Sequence, residues 1–275
     1  MTFSIVARAE HPSGDPEWGV AVASKFLAVG AAVPAAVAGV GAIATQANAN
    51  VAFKGIGLSL LDEGATAEVA LQRMLEEDDQ RDHRQVGIVD SEGAAASHTG
   101  PECFDWAGGR TAPGMAAQGN ILVGPDVVES MVRAWHEHDG EPLSRRLLAA
   151  LAAGDAAGGD RRGRQSAALL VVRERAGYGG LDDVAVDLRI DDHEQPVAEL
   201  ARLLDLNDLY LTASTEDEQV PVDATLREEL DDRARAAGHR DFLAWVGAAN
   251  YEMRVAEDAG WVDRRVLAII RGEEQ

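Results

Sequence analysis

The sequence predicts a mixed α/β (α+β) fold: a four-layer α/β/β/α sandwich followed by a small helical appendage. Strands and helices come in groups, in the order strands, two helices, strands, two helices, strands, helix. That order argues for helices outside two stacked antiparallel sheets rather than for the steady alternation of a doubly wound sheet. A polar, acidic stretch with Pro221, residues 213–224, reads as a linker between residues 1–212 and a last segment of 225–275.

Taken in order, "TFSIVAR" alternates and is β-prone, and "HPSGDPEWG" is a turn. "GVAVASKFLAVGAAVP" (19–34) has strand character at both ends, and "VGAIATQ" (40–46) reads as a buried strand. A helix is expected over 47–64, closed by Gly64, and a clearer one over 66–78 with Thr66 as its cap. Residues 84–100 read as a hairpin around Ser-Glu-Gly and 114–123 as a strand. Helices over 124–138 and 142–154, strands over 166–177 and 182–191, and a helix over 196–211 complete the main domain. Residues 225–275 hold two or three short helices around Leu243, Trp245, Tyr251, Trp261, Val266 and Ile269. A segment so short is marginal alone.

The chain has 275 residues, with 47 acidic against 25 basic side chains and a net charge of -22. Such a surface repels nucleic acid and anionic membranes, so neither is expected as a partner. Salt screens its self-repulsion, which reads as adaptation to a salty, halophilic cytoplasm. No apolar run reaches the ~18 residues of a membrane span, and no secretory leader is evident, so a cytoplasmic location is expected. Cys103 is the single cysteine, which rules out an internal disulfide. No cofactor is implied. The histidines of "HEH" (136–138) point apart on a helix and do not share a metal.

The opening "MT" raises the first chemical question. Thr2 behind Met1 is small enough for methionine removal, which would leave one threonine hydroxyl and one free amine tied into a strand. Such a residue carries both nucleophile and base. The amine suits that task, its pKa lying near ~7.7–8.0. Many chains begin Met-Thr without any such purpose, so Thr2 needs company. Lys25 is one of two lysines in the chain and sits among small and apolar residues. Buried beside Thr2, its ammonium would lower the pKa of the amine and hydroxyl; at an edge, its head would lie in water. In "GAIATQANAN", a strand running into a helix start offers Gln46, Ala47 and Asn48 as oxyanion or substrate contacts.

"GGDRRGRQSAALLVV" crowds Asp160, Arg161, Arg162, Arg164 and Ser166 before a buried strand. Asp160 is a candidate to hold the terminal ammonium or Lys25, and Arg164 to bind a substrate carboxylate. The bland reading of these arginines is a solvated loop. "SHTGPECFDWAGG" places His98 and Cys103 in a pocket-lining loop, with a Cys–His nucleophile as an alternative. Asn120 is either a donor or a cap.

"TFSIVAR", "GVAVASKFLAVG", "GAIATQA", "RQVGIVD", "TGPECFDWAG", "QGNILVG", "GGDRRGRQSAALLVV", "GYGGLDD" and "VDLRIDDH" together resemble the domain-of-unknown-function-1028 family over about residues 2–212. That family is similar to the N-terminal-nucleophile (Ntn) hydrolases, the superfamily of the proteasome β subunit. The resemblance implies an Ntn sandwich with Thr2 as nucleophile, Lys25 tuning it, an oxyanion amide near Ala47–Asn48, and Asp160 and Ser166 in support. The gap between Asp160 and Ser166 is longer than the proteasome-like pattern has. "FLAWVGAANYEMRV" and "GWVDRRVLAII" resemble the small putative peptidoglycan-binding domain that some family members carry. The expected function is an Ntn amidohydrolase or peptidase for a small amide or peptide, assembled as a homo-oligomer. The alternative is a non-catalytic ligand- or protein-binding module on the same fold.

Overall fold

The computed structural model describes residues 2–273; the expectation about Met1 lies outside them. β1 (Thr2–Glu10) and β2 (Pro16–Ser24) form a hairpin in register from Phe3 opposite Ala23 to Glu10 opposite Pro16. One helical turn, α1 (Val29–Ala32), leads into β3 (Pro34–Val37) and β4 (Gly41–Ala47). Then come α2 (Phe53–Asp62), α3 (Ala67–Glu76), β5 (Arg84–Asp90), β6 (Ala95–Thr99), β7 (Gly108–Ala112) and β8 (Met115–Asn120). They are followed by α4 (Asp126–Glu137), α5 (Leu143–Ala156), β9 (Ser166–Val172), β10 (Val184–Ile190) and α6 (Pro196–Leu211).

Ten of these strands make two antiparallel sheets, ordered β10-β9-β2-β1-β8-β7 and β3-β4-β5-β6. Side chains alternate between the faces of a strand, and here the alternation separates two cores. Val6, Val20, Val22, Ala116 and Ala168 of the larger sheet pack with Ala42, Ala44 and Val89 of the smaller one. The opposite phase faces helices. Phe53, Leu71 and Met74 of α2 and α3 cover Ile43, Val86 and Ile88. On the larger sheet, α5 lies against β1, β2 and β9, and α4 against β7 and β8. Leu147 comes so close to Gly19 that a Cβ there would lie 2.7 Å from its Cδ1. With both faces covered, β1 and β2 are buried along most of their length, residues 2–7 and 17–24 without a break.

Thr66 caps α3 as expected, its side chain accepting from the Val69 N–H. The helix expected from residue 47 begins only at Phe53. Asn50 closes a turn first: its carbonyl accepts from the Phe53 N–H and its Oδ1 from the Ala52 N–H. β7 was not anticipated, since "GGRTA" has weak strand propensity; it is an edge strand defined by its pairing with β8.

A second compact unit begins at Leu204, within α6. It contains β11 (Gln219–Pro221), α7 (Ala224–Ala236), α8 (Phe242–Ala249), β12 (Trp261–Asp263) and α9 (Arg264–Arg271). Asp223, Asp241 and Asp263 each cap one of its helices through a side-chain oxygen. Leu209, Leu230, Phe242, Val246, Val262 and Val266 form its core. The stretch 213–224, expected as a linker, includes β11, which pairs with β12 inside this unit. Among the described residues no helix is long and apolar enough to cross a membrane.

Candidate functional site

At one end of the two sheets the inward-facing phase turns from apolar to polar. Thr2 lies directly opposite Asn120 on β8, and Ser24 directly opposite Ser166 on β9. A 3.1 Å hydrogen bond between Thr2 Oγ1 and Ser24 Oγ joins the two pairs. Asn120, Thr2, Ser24 and Ser166 thus form one buried row across four strands.

A second buried layer supports the row. Ser4 Oγ donates to Gln46 Oε1 at 2.7 Å, and Gln118 Nε2 donates to Ser4 Oγ at 2.7 Å. Gln85 Oε1 accepts from both Gln46 Nε2 and Asn120 Nδ2, each at 2.8 Å. Gln46 Nε2 also reaches the Thr2 carbonyl at 3.3 Å. These amides satisfy one another across the inter-sheet space, as buried polar groups must. Gly87 makes room for them: a Cβ there would lie 2.1 Å from Gln118 Oε1.

A cavity of about 450 Å³ opens beside this end. Ala47 and Asn48 at the end of β4, and Asn120 and Ile121 at the end of β8, form two of its walls. Glu102, Cys103 and Phe104 form a third, with His83 and Arg162 completing it. Ala47 (φ 68°) and Ile121 (φ 52°) are both left-handed without being glycine. Each such residue costs about 1–2 kcal/mol, and strain of this kind clusters where a chain serves a ligand.

A buried ion pair fixes the Ala47–Asn50 turn. Arg84 Nε donates to Asp78 Oδ2 at 2.8 Å, Arg84 Nη1 to the Asn48 carbonyl at 2.5 Å, and Asn50 Nδ2 to Asp78 Oδ2 at 3.1 Å. The hydrogen bond from Arg84 holds the Asp78 carboxyl well below the usual carboxylate range.

The loop ahead of β9 fixes the other side. Asp160 is buried and accepts from the backbone N–H of Lys25 at 2.8 Å and of Arg162 at 2.9 Å. Its carboxylate also takes Arg162 Nε at 3.3 Å and Nη2 at 3.0 Å. The loop is stapled to the end of β8: the Arg161 N–H donates to the Ile121 carbonyl and the Val123 N–H to that of Gly159.

Several expected placements change. Lys25 is exposed, not buried beside Thr2, and its Nζ donates to the Arg164 carbonyl at 3.2 Å. It stands just past the end of β2, where the side chain escapes to solvent. Asp160 holds the Lys25 backbone and Arg162 rather than an ammonium. Ser166 Oγ donates to the Phe26 carbonyl at 2.5 Å and accepts from the Val29 N–H at 3.1 Å, pinning the turn after β2. The Asn48 N–H is taken by the His83 carbonyl at 3.3 Å, and the helix start lies five residues further on. Arg164 pairs with Asp155 at 2.7 Å and lines a small crevice with Ser24; Arg162 lines the larger cavity instead.

His98 bonds the Arg81 carbonyl at 3.0 Å, and the Cys103 thiol donates to that of Arg84 at 3.4 Å. The two side chains of the alternative Cys–His pair thus turn to separate carbonyls. Burial pushes the Cys103 thiol up. Ser4, Ser24, Gln85 and Gln118 were missed by the sequence reading. The available signal was phase: each of them falls on the inward-facing register of its strand, in line with apolar neighbours.

Residues 2–200 match the model of a family described as "Family of unknown function (DUF1028)". The crystal structure of a protein from Silicibacter pomeroyi, described by the same family name, superposes with a TM-score of 0.67 at 32% identity. The match covers 75% of this chain and 89% of that one. No curated protein matches the sequence.

Proposed function

Because the chain belongs to DUF1028, a family whose description names no reaction, we propose its activity from the site itself: an N-terminal-nucleophile amidohydrolase or peptidase acting on a small amide or peptide, with Thr2 as nucleophile once the peptide bond before it is cut. The observation that carries this reading is the buried Thr2–Ser24 hydrogen bond beside Asn120 and the cavity. On this reading the two facing sheets with their outer helix pairs are the four-layer Ntn sandwich. Residues 225–275, in the unit that begins at Leu204, are the peptidoglycan-binding-like domain, and the chain works as a homo-oligomer.

The chemistry balances on residues of this site. The freed α-amine of Thr2 takes the hydroxyl proton, directly or through water, and Oγ1 attacks the amide carbonyl. The tetrahedral oxygen lies at the wall formed by Asn120 and the Ala47 turn. The C–N bond then breaks, the leaving amine takes the proton, and water cleaves the Thr2 ester. Ser24 orients the Thr2 hydroxyl. Asp160 and Ser166 act as positioning residues, through the Lys25 backbone and the turn after β2.

Hydrolysis of a panel of small amides and short peptides by the native chain, Thr2→Ala and Thr2→Ser tests this. Thr2→Ala loses activity by about 10³-fold or more and Thr2→Ser keeps part of it. Full hydrolysis of a genuine substrate by Thr2→Ala contradicts the proposal. One observation favours a second reading, a non-catalytic ligand-binding module: Lys25 is exposed and Asp160 is engaged by Arg162, so neither supports the terminus directly. A native chain that binds ligands while keeping the peptide bond before Thr2 selects that reading.

A further inference from the structure

The acidity of this protein makes the cavity lined by Asn120, the strand partner of Thr2, unusual. With a net charge of -22, the surface repels anions from most approaches. Yet Arg162 stands in the cavity wall, the one permanently charged cation among its described lining residues. It is held there by construction. Asp160, its partner, has a side chain only 2% exposed, whereas that of Arg162 is 42% exposed. Three of the four hydrogen bonds on the Asp160 carboxylate come from Arg162 and the fourth from the Lys25 backbone N–H, so the buried acid fixes the guanidinium at the cavity wall. Two backbone bonds tie the loop to the β8 end, next to Asn120 and Ile121.

A guanidinium placed this way loses little freedom on meeting a second carboxylate, which is how preorganised arginines recognise acids. The cavity, about 450 Å³, lies toward the small end of ligand pockets. Glu102 on another wall sets an opposite charge, which disfavours a ligand acidic at both ends.

We infer that Arg162 reads a carboxylate on the ligand of this cavity, so that the ligand class is a small amide with a single free carboxylate, of N-acyl amino acid or short peptide C-terminal type. The inference rests on the hydrolase reading for the amide, but not for the carboxylate. The arginine chosen from the sequence, Arg164, is paired with Asp155 and does not line this cavity.

Binding is measured on the full-length Thr2→Ala chain, which removes turnover, with N-acetyl-L-alanine and its neutral carboxamide as probes. Calorimetric titration is expected to give at least tenfold tighter binding of the acid. Arg162→Gln, which keeps a hydrogen-bonding group beside Asp160, removes that preference, and Arg162→Lys restores part of it. Thermal melts of each variant establish that it is folded. Equal binding of acid and carboxamide, a preference that survives in folded Arg162→Gln, or no binding of either probe overturns the inference. A carboxylate preference in a native chain that hydrolyses nothing overturns the Thr2 mechanism and leaves the Arg162 assignment standing.

Discussion

Thr2 and Ser24 share a 3.1 Å hydrogen bond although they lie 22 residues apart. The bond exists because β1 and β2 pair in a register that brings the start of one strand to the end of the other. Both side chains face inward, in the phase of Val6 and Val22. A hairpin turn at the far end of the sheet therefore decides the chemistry at this end. Ser24→Ala leaves Thr2 in place but removes its orienting partner. On the proposed mechanism kcat falls by about 10²-fold with KM little changed, as steady-state kinetics on any accepted amide would report.

Gly87 and Gln118 form a second coupled pair. The Gln118 amide occupies the space a Cβ at Gly87 would need, and its contacts with Ser4 leave it no alternative position without breaking hydrogen bonds. Gly87→Ala is expected to cost about 1–3 kcal/mol. Gly87→Ala with Gln118→Ala is expected to cost less than the sum of the two single changes. Urea denaturation of the four proteins checks the coupling.

Breaking the Arg84–Asp78 pair leaves a buried charge behind. Arg84→Ala is expected to destabilise the fold by about 3 kcal/mol. It also releases the Asn48 carbonyl, so the cavity wall loosens in variants that remain folded. Chemical denaturation reads the first effect, and hydrogen exchange over residues 47–50 reads the second.

Asp78 also sets a pH dependence. Its folded pKa lies below its unfolded value, so the unfolded chain binds its proton first on acidification. The contribution is complete above the unfolded value, about 3.9, and is lost as pH falls through the lower folded value. Asp78→Asn removes this component of the slope. Stability curves of the two proteins should therefore converge as pH drops below about 4.

The raised pKa of Cys103 makes it a poor nucleophile near neutrality. Alkylation by iodoacetamide is expected to be slow at pH 7 and to accelerate at pH above the ordinary thiol value of about 8.5. Cys103→Ser is expected to leave any hydrolysis within about twofold of the native chain. Fast labelling at pH 7 together with loss of activity revives the Cys103–His98 alternative.

Much of the fold was legible because apolar phase and turn residues speak locally. "PVAELARLLDLNDLYL" gives α6 to the residue, and Thr66 marks the start of α3. β7 and β11 were not legible, since "GGRTA" and "QVP" acquire strand character from their partners. The site divides the same way. Gln46 is legible as part of a strand-to-helix turn and Asn120 as a donor or cap, but Ser24 and Gln85 matter through pairings between distant segments. Lys25 misled because apolar sequence neighbours do not fix burial one residue past a strand end. Arg162 and Arg164 are indistinguishable by type; only the loop's attachment to Ile121 selects the first.

The central claim is that Thr2 becomes a free nucleophile, and one measurement tests it most directly. The protein, purified untagged from its own host, is treated with an acylating β-lactone and its N-terminal peptide is analysed by mass spectrometry. A peptide beginning at Thr2 and carrying one acyl group on that residue is expected. A peptide in which Thr2 is still preceded by a peptide bond, or begins at Thr2 and stays unlabelled, contradicts it.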